Sequence, residues 1–183
     1  MPITPDDKDW TWVLVTTCPD CGFDAPSTDR AAVADLLRQN IDAWAPLLAH
    51  PQVSMRPTDD QWSALEYGCH VRDVFRLFHE RLHRMLTEDG PRFANWDQDV
   101  TALDDQYDQQ DPAVVGVDLV EAGHVLADRF AGVADDQWAR PGFRSDGAAF
   151  TVESFARYLL HDPVHHVDDV QRGYEIIAAG MLD

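Results

Sequence analysis

Four stretches of this chain place apolar residues at helical spacing, and each is bounded by start and stop signals. Val33, Leu36, Leu37, Ile41, Trp44, Leu47 and Leu48 recur in steps of three and four, with Asn40 in the same set. That spacing predicts one buried face of a helix. Pro26-Ser27-Thr28 opens it, and His50-Pro51 stops it after about Ala49. A second stripe runs through Val71, Val74, Phe75, Phe78, Leu82, Met85 and Leu86 to about Glu88, behind Ser63-Ala64-Leu65-Glu66. Ser followed three residues later by Glu is the spacing of a capping box. Asp111-Pro112 pairs an N-cap with Pro in the first turn and opens a third helix, striped by Val115, Leu119, Ala122, Leu126, Phe130 and Val133. Thr151 opens the fourth, with Val152, Phe155, Leu159, Val167, Val170, Tyr174 and Ile177 inward. Four helices, each apolar on one side, predict an all-α four-helix bundle.

The stretches between the helices add detail. Trp10 to Thr17 is rich in β-branched and aromatic residues, which predicts a short extended arm within residues 1–27. The long Asp-rich connection after Asp89-Gly90-Pro91 carries Phe93, Trp96 and Tyr107, with a short helix expected over Val100 to Leu103. A connection of that length is uncommon unless it covers something. Asp59-Asp60-Gln61-Trp62 and Asp135-Asp136-Gln137-Trp138 echo each other, each ahead of a histidine-bearing helix. The whole chain, 1–183, reads as one domain with enough apolar side chain for a full core.

Charge narrows the partners. Fourteen basic residues against thirty-three acidic ones give a net charge of −19. That field repels phosphate backbones and anionic lipid surfaces, so no nucleic acid and no membrane partner is expected. No apolar run approaches the roughly eighteen residues needed to span a bilayer. The N-terminus lacks the basic and apolar regions of a secretory signal, so a cytoplasmic location is expected. The expected partner is a small-molecule substrate, with a homodimer as an open alternative. Three cysteines cannot build a disulfide framework. Cys18-Pro19-Asp20-Cys21-Gly22 has the form of half a zinc knuckle. It reads as a redox-active dithiol, as a metal pair completed from elsewhere, or as two inert thiols.

The chemistry concentrates in His161-Asp162-Pro163-Val164-His165-His166-Val167-Asp168-Asp169. Imidazoles four residues apart share one side of a helix and can hold two corners of a divalent-metal site. His70 lies at one margin of the second stripe, able to face the bundle interior, and completes a metal set of His70, His161 and His165. His166 is the alternative to His165, because an ideal wheel turns His161 and His165 towards the polar side. A kink or bulge at Pro163 is expected to break that phase. His79 and His83 sit among Arg76, Glu80, Arg81 and Arg84 and read as a solvated face. His50 reads as a helix-end residue and His124 as exposed. Asp73, Asp162, Asp168 and Asp169 are placed to accept from imidazole N–H groups.

The Asp-Gln-Trp segments, the early His70, the stretch Gly147-Ala148-Ala149-Phe150-Thr151-Val152 and the terminal His-x3-His-His-Val-Asp together resemble the DinB-like superfamily, which includes mycothiol-dependent maleylpyruvate isomerases. The resemblance spans about residues 28 to 178. It implies a four-helix bundle with a zinc- or nickel-type ion between the second and fourth helices. It also implies that the position of His161 is similar to one held by Glu in the isomerases and by His in other members. The Cys18–Cys21 arm lies outside the family pattern. Three protein ligands leave a coordination position open, which suits catalysis. That position accepts either a water or a low-molecular-weight thiol such as mycothiol. The functions expected are therefore a metal-dependent, thiol-using S-transferase or isomerase, a metal-dependent hydrolase, or a metal-binding or stress-related module without turnover.

Overall fold

The computed structural model describes residue 3 and residues 9–181. Its elements are α1 (Val33–Leu48), α2 (Ala64–Thr87), β1 (Arg92–Phe93), α3 (Gln98–Asp104), α4 (Pro112–Ala131), β2 (Pro141–Arg144), β3 (Ala149–Thr151) and α5 (Val152–Gly180). The long helices α1, α2, α4 and α5 form the bundle. Helix α4 packs against α1 and α2, and α5 packs against the same two from the other side. The core runs through Leu37, Ile41 and Trp44 of α1, Phe75 and Leu82 of α2, Leu119 and Leu126 of α4, and Phe155 and Leu159 of α5.

The caps stand where their residues predict. Ser63 and Glu66 close a reciprocal capping box at α2, Asp111 caps α4 with Pro112 in its first turn, and Thr151 caps α5. Glu66 is buried because it is fully bonded: it accepts from Ser63 N at 2.8 Å and from Arg56 Nε at 2.9 Å. The first helix begins later than expected. Asp29, not Ser27 or Thr28, supplies the cap, and a 3-10 turn over Arg30–Ala32 leads into Val33.

Two other expectations change. The segment expected to be extended is a 3-10 helix over Trp10–Leu14, capped by Asp9, whose carboxylate accepts from Thr11 N. Its β-branched and aromatic residues have no strand to pair with here, so packing on α5 decides the conformation rather than β-propensity. Helix α5 also runs through Pro163 without interruption. Asn40 of α1 donates from Nδ2 to the Pro163 carbonyl at 2.9 Å and accepts from Trp44 Nε1 at 3.2 Å. This buried amide ties α1 to α5 at the level of the histidines.

A small sheet covers one end of the bundle. β1 pairs parallel with β2, and β2 pairs antiparallel with β3, in the register Gly142 opposite Phe150. Arg140, entering β2, donates to the carbonyls of Met85 and Glu88 and fastens the hairpin to the end of α2. The Asp-rich connection folds as β1 and α3, and it carries Trp96 back over α2. Among the described residues no helix is long and apolar enough to cross a membrane.

Candidate metal centre

Helix α5 presents metal-binding side chains in two adjacent registers, His161 with His165 and Asp162 with His166. A shift of one residue turns a side chain by about 100°, so the two pairs face different neighbours. The first pair meets the N-terminal arm, and the second meets α2.

Towards α2, donor atoms of His70, Asp162 and His166 lie within 4.8 Å of one another. His70 is fully buried, with Nε2 3.5 Å from Asp162 Oδ1. His166 Nε2 lies 3.8 Å from Asp162 Oδ2. Ligand atoms about 2.0–2.2 Å from a tetrahedral ion stand about 3.3–3.6 Å apart, close to this spacing. Neither ring nitrogen of His70 has a hydrogen-bond partner, nor does Asp162 Oδ1. Buried polar atoms left unpaired are costly, and an ion at this point would satisfy them. The donor set, two imidazoles and a carboxylate, therefore fits a divalent metal. His166 is also aimed: its Nδ1 lies 2.9 Å from Asp169 Oδ2. An ionised carboxylate only accepts, so Nδ1 carries the proton and Nε2 keeps its lone pair for a ligand. Burial raises the Asp162 pKa, but the imidazoles of His70 and His166 outweigh it and bring the carboxyl down to about 2.

Towards the arm, donor atoms of Cys18, Cys21, His161 and His165 also lie within 4.8 Å of one another. Cys18 Sγ is 3.7 Å from His165 Nδ1. Burial, then the neighbouring His165, lowers the His161 pKa to about 4, and burial lowers that of His165 too. Both rings are neutral at pH 7 and keep a lone pair. Burial pushes the Cys21 thiol up to about 11.

The expected set of His70, His161 and His165 is thus distributed over two neighbouring donor groups. On the four helical stripes alone, His161 and His165 fall towards the polar side of α5. In the folded chain the arm covers that side with Trp10, Trp12 and Phe23, whose rings contact His161. No kink is needed to bury them. Among the carboxylates considered as imidazole partners, Asp169 takes that role. Asp73 is bonded to Arg72 and Tyr107, and Asp168 pairs with Arg172. His79 and His83 take the guanidinium of Arg129. His50 stacks on Tyr174 at the end of α1. Asp162 as part of a donor group was missed, although Asp162 and His166 have the same i, i+4 spacing as the pair beside them. The aromatic shell was missed as well: Trp96 stacks on His70 at 5.4 Å and 11°, and Tyr67 lies 4.8 Å from His166.

The α5 members of both groups, His161, Asp162, His165 and His166, border one cleft of about 730 Å³, walled by aromatic rings including Trp10, Trp62, Trp96 and Tyr158. Among the described residues, eight aspartates and two arginines line it. Those arginines are engaged: Arg81 donates to the Ala94 carbonyl at 2.9 Å, and Arg144 pairs with Asp146 and bonds the Tyr158 hydroxyl. The cleft therefore draws in cations and disfavours anions.

In sequence, a model described as the DinB superfamily matches residues 34–170. No curated protein matches the chain. Among solved structures the chain is similar to YfiT from Bacillus subtilis, described as a probable metal-dependent hydrolase with an unusual four-helix bundle topology. The two share 17% identity with a TM-score of 0.62, over 94% of this chain and 93% of that one.

Proposed function

Because the chain belongs to the DinB superfamily, we propose that it is a divalent-metal-dependent hydrolase acting on an uncharged or cationic small molecule. The metal would be held by His70, Asp162 and His166. The observation that carries this reading is the unpartnered, fully buried His70 facing Asp162, a carboxylate that lines a solvent-reaching cleft. A buried imidazole with both nitrogens unsatisfied is hard to explain structurally and simple to explain as a ligand. Three protein ligands leave room for a fourth, and two-imidazole, one-carboxylate sets are found at hydrolytic zinc sites. When bound, such an ion supplies Lewis-acid polarisation and lowers the pKa of a coordinated water towards about 7.

The chain's own residues do the rest. Asp169 fixes the His166 tautomer. Trp96 and Trp62 pack on His70 and keep its ring from turning. The aromatic walls offer apolar area to a substrate, and the aspartates select against anionic ones. The carboxylate that the isomerase resemblance puts at position 161 is supplied one residue later, by Asp162.

The test is the metal content and hydrolytic rate of zinc- or nickel-loaded protein on a panel of uncharged and anionic nitrophenyl esters. His70→Ala and His166→Ala should each lose one ion per chain and fall to the metal-free rate, with uncharged esters preferred by the wild type. Unchanged ion content in both variants would overturn the ligand set. A loaded wild type that hydrolyses none of the panel, while the cobalt form of the Cys18→Ser/Cys21→Ser variant gains a sulfur-to-cobalt band when mycothiol is added, would favour the thiol-using transferase or isomerase. Neither hydrolysis nor such a band would favour a module without turnover.

A further inference from the structure

The second donor group is a different kind of site. From Cys18, Cys21, His161 and His165 we infer a closed, four-ligand zinc site that pins the N-terminal arm to α5, separate from the open site beside it. Two thiolates and two imidazoles form the donor set of structural tetrahedral zinc, and a fourth protein ligand leaves no position for substrate. Tetrahedral bonds of about 2.3 Å to sulfur and about 2.0–2.1 Å to nitrogen put ligand atoms about 3.3–3.8 Å apart. The separation of 3.7 Å between Cys18 Sγ and His165 Nδ1 is already in that range. The four donor atoms need only small rotamer adjustments from within 4.8 Å to close on one ion.

Independent features point the same way. His161 Nε2 is buried and has no hydrogen-bond partner. The loop bearing the cysteines is shaped to turn both sulfurs inward. Gly22 N–H donates to the Cys18 carbonyl at 2.9 Å, and Cys18 N–H donates to the Phe23 carbonyl at 3.0 Å. Gly22 has φ +73, which glycine adopts without the strain of a Cβ. Trp10, Trp12 and Phe23 lie against His161 and shield the group. Cys18 is 1% exposed and His161 4%.

The site also has a structural task. Trp10 and Asp20 belong to the arm and line the cleft. An ion clamping the arm would therefore hold one wall of the cleft in place without touching the substrate.

The experiment counts Zn²⁺ per chain by mass spectrometry in the full-length protein, and records thiol reactivity in the native fold. Wild type should carry two ions, the Cys18→Ser/Cys21→Ser variant one, and His70→Ala one. Of the two variants, only His70→Ala should keep the wild-type sulfur-to-cobalt charge-transfer band when loaded with Co²⁺. If the double-serine variant does not fold, the wild type still decides. Cys18 and Cys21 should resist a thiol reagent until a strong chelator is added, then react. Two readings would overturn the site: equal reaction with and without chelator, or a Cys18–Cys21 disulfide in zinc-loaded protein. Loss of both ions in His70→Ala would refute the separation of the two sites. Retention of two would remove His70 from the open site and leave this one standing.

Discussion

Asp169 stands between the two donor groups, and its replacement by Asn tests how they are tuned. Its Oδ2 lies 2.9 Å from His166 Nδ1 and 3.7 Å from His165 Nε2, and its Oδ1 accepts from Arg172 Nη2 at 2.7 Å. The amide keeps an acceptor for His166 but loses the charge and, because its nitrogen only donates, the bond from Arg172. A hydrogen bond to a charged group exceeds a neutral one by about 1 kcal/mol. The carboxylate also increases imidazole basicity towards the ion. Removing partners of this kind costs about 10–100-fold in metal affinity, or about 1.4–2.7 kcal/mol. We expect that loss at the open site, where the bond is 2.9 Å, and a smaller one at the arm site, where the approach is 3.7 Å. Titration of Zn²⁺ against a chelating dye resolves the two affinities, with Cys18→Ser/Cys21→Ser as the single-site reference. Unchanged affinity at the open site would refute the claim that the charge on Asp169 strengthens His166 as a ligand. An equal loss at both would mean that Asp169 acts through its field, not through its hydrogen bond.

Other outcomes follow from the bundle itself. A Cβ at Gly123 would stand 2.6 Å from Ile41 Cδ1 and 3.0 Å from Phe75 Cε2. Overpacking of about 1–3 kcal/mol then exceeds the helix-propensity gain of up to about 1 kcal/mol. Gly123→Ala should thus lower the Tm by a few degrees in calorimetry, at about 2–4 °C per kcal/mol; a higher Tm would show that α4 can move away. Burial alone would raise the Asp73 pKa, but bonds from Arg72 and Tyr107 hold it below the ordinary 3.8. Its contribution to stability is therefore present above that value and lost as pH falls through the lower folded value. Between about pH 5 and about pH 2, the Tm of Asp73→Asn should fall less steeply than that of wild type, and parallel curves would refute this.

The parts of the fold legible in the sequence are those with a strong local cause. Ser63 with Glu66, Asp111 with Pro112, and Thr151 each satisfy orphan N–H groups at a helix start, and the stripes behind them place α2, α4 and α5. The start of α1 was less legible because Ser27, Thr28 and Asp29 all offer a capping oxygen, and only packing selects Asp29. The hairpin was hidden because strands of four and three residues are too short for alternation to register. At the site, the histidine-rich stretch and His70 stood out by residue type. Their grouping did not, because it depends on which surface covers each face of α5. The arm that buries His161 and His165 lies 147 residues from His165 along the chain, as the Cys18–His165 contact shows. A helical wheel carries no record of so distant a contact.

Two divalent ions as close as these groups would place them repel each other unless the ligands offset their charge. His165 and His166 have ring centroids 5.9 Å apart, and His161 and His165 5.1 Å. Two thiolates neutralise a dication completely, so a closed arm site adds no net charge beside its neighbour. Two imidazoles and one carboxylate would leave a dication at the open site with one positive charge, the charge on which its Lewis acidity would depend. Exchanging the donor sets would reverse this: a thiolate pair at the open site would quench its acidity. The chain thus keeps its soft, charge-neutralising ligands on the arm, and its hard carboxylate, Asp162, on the cleft side of α5. On this reading the surplus of acidic residues has a local part to play. Asp169 and the aspartates of the cleft supply the field in which two dications can stand side by side.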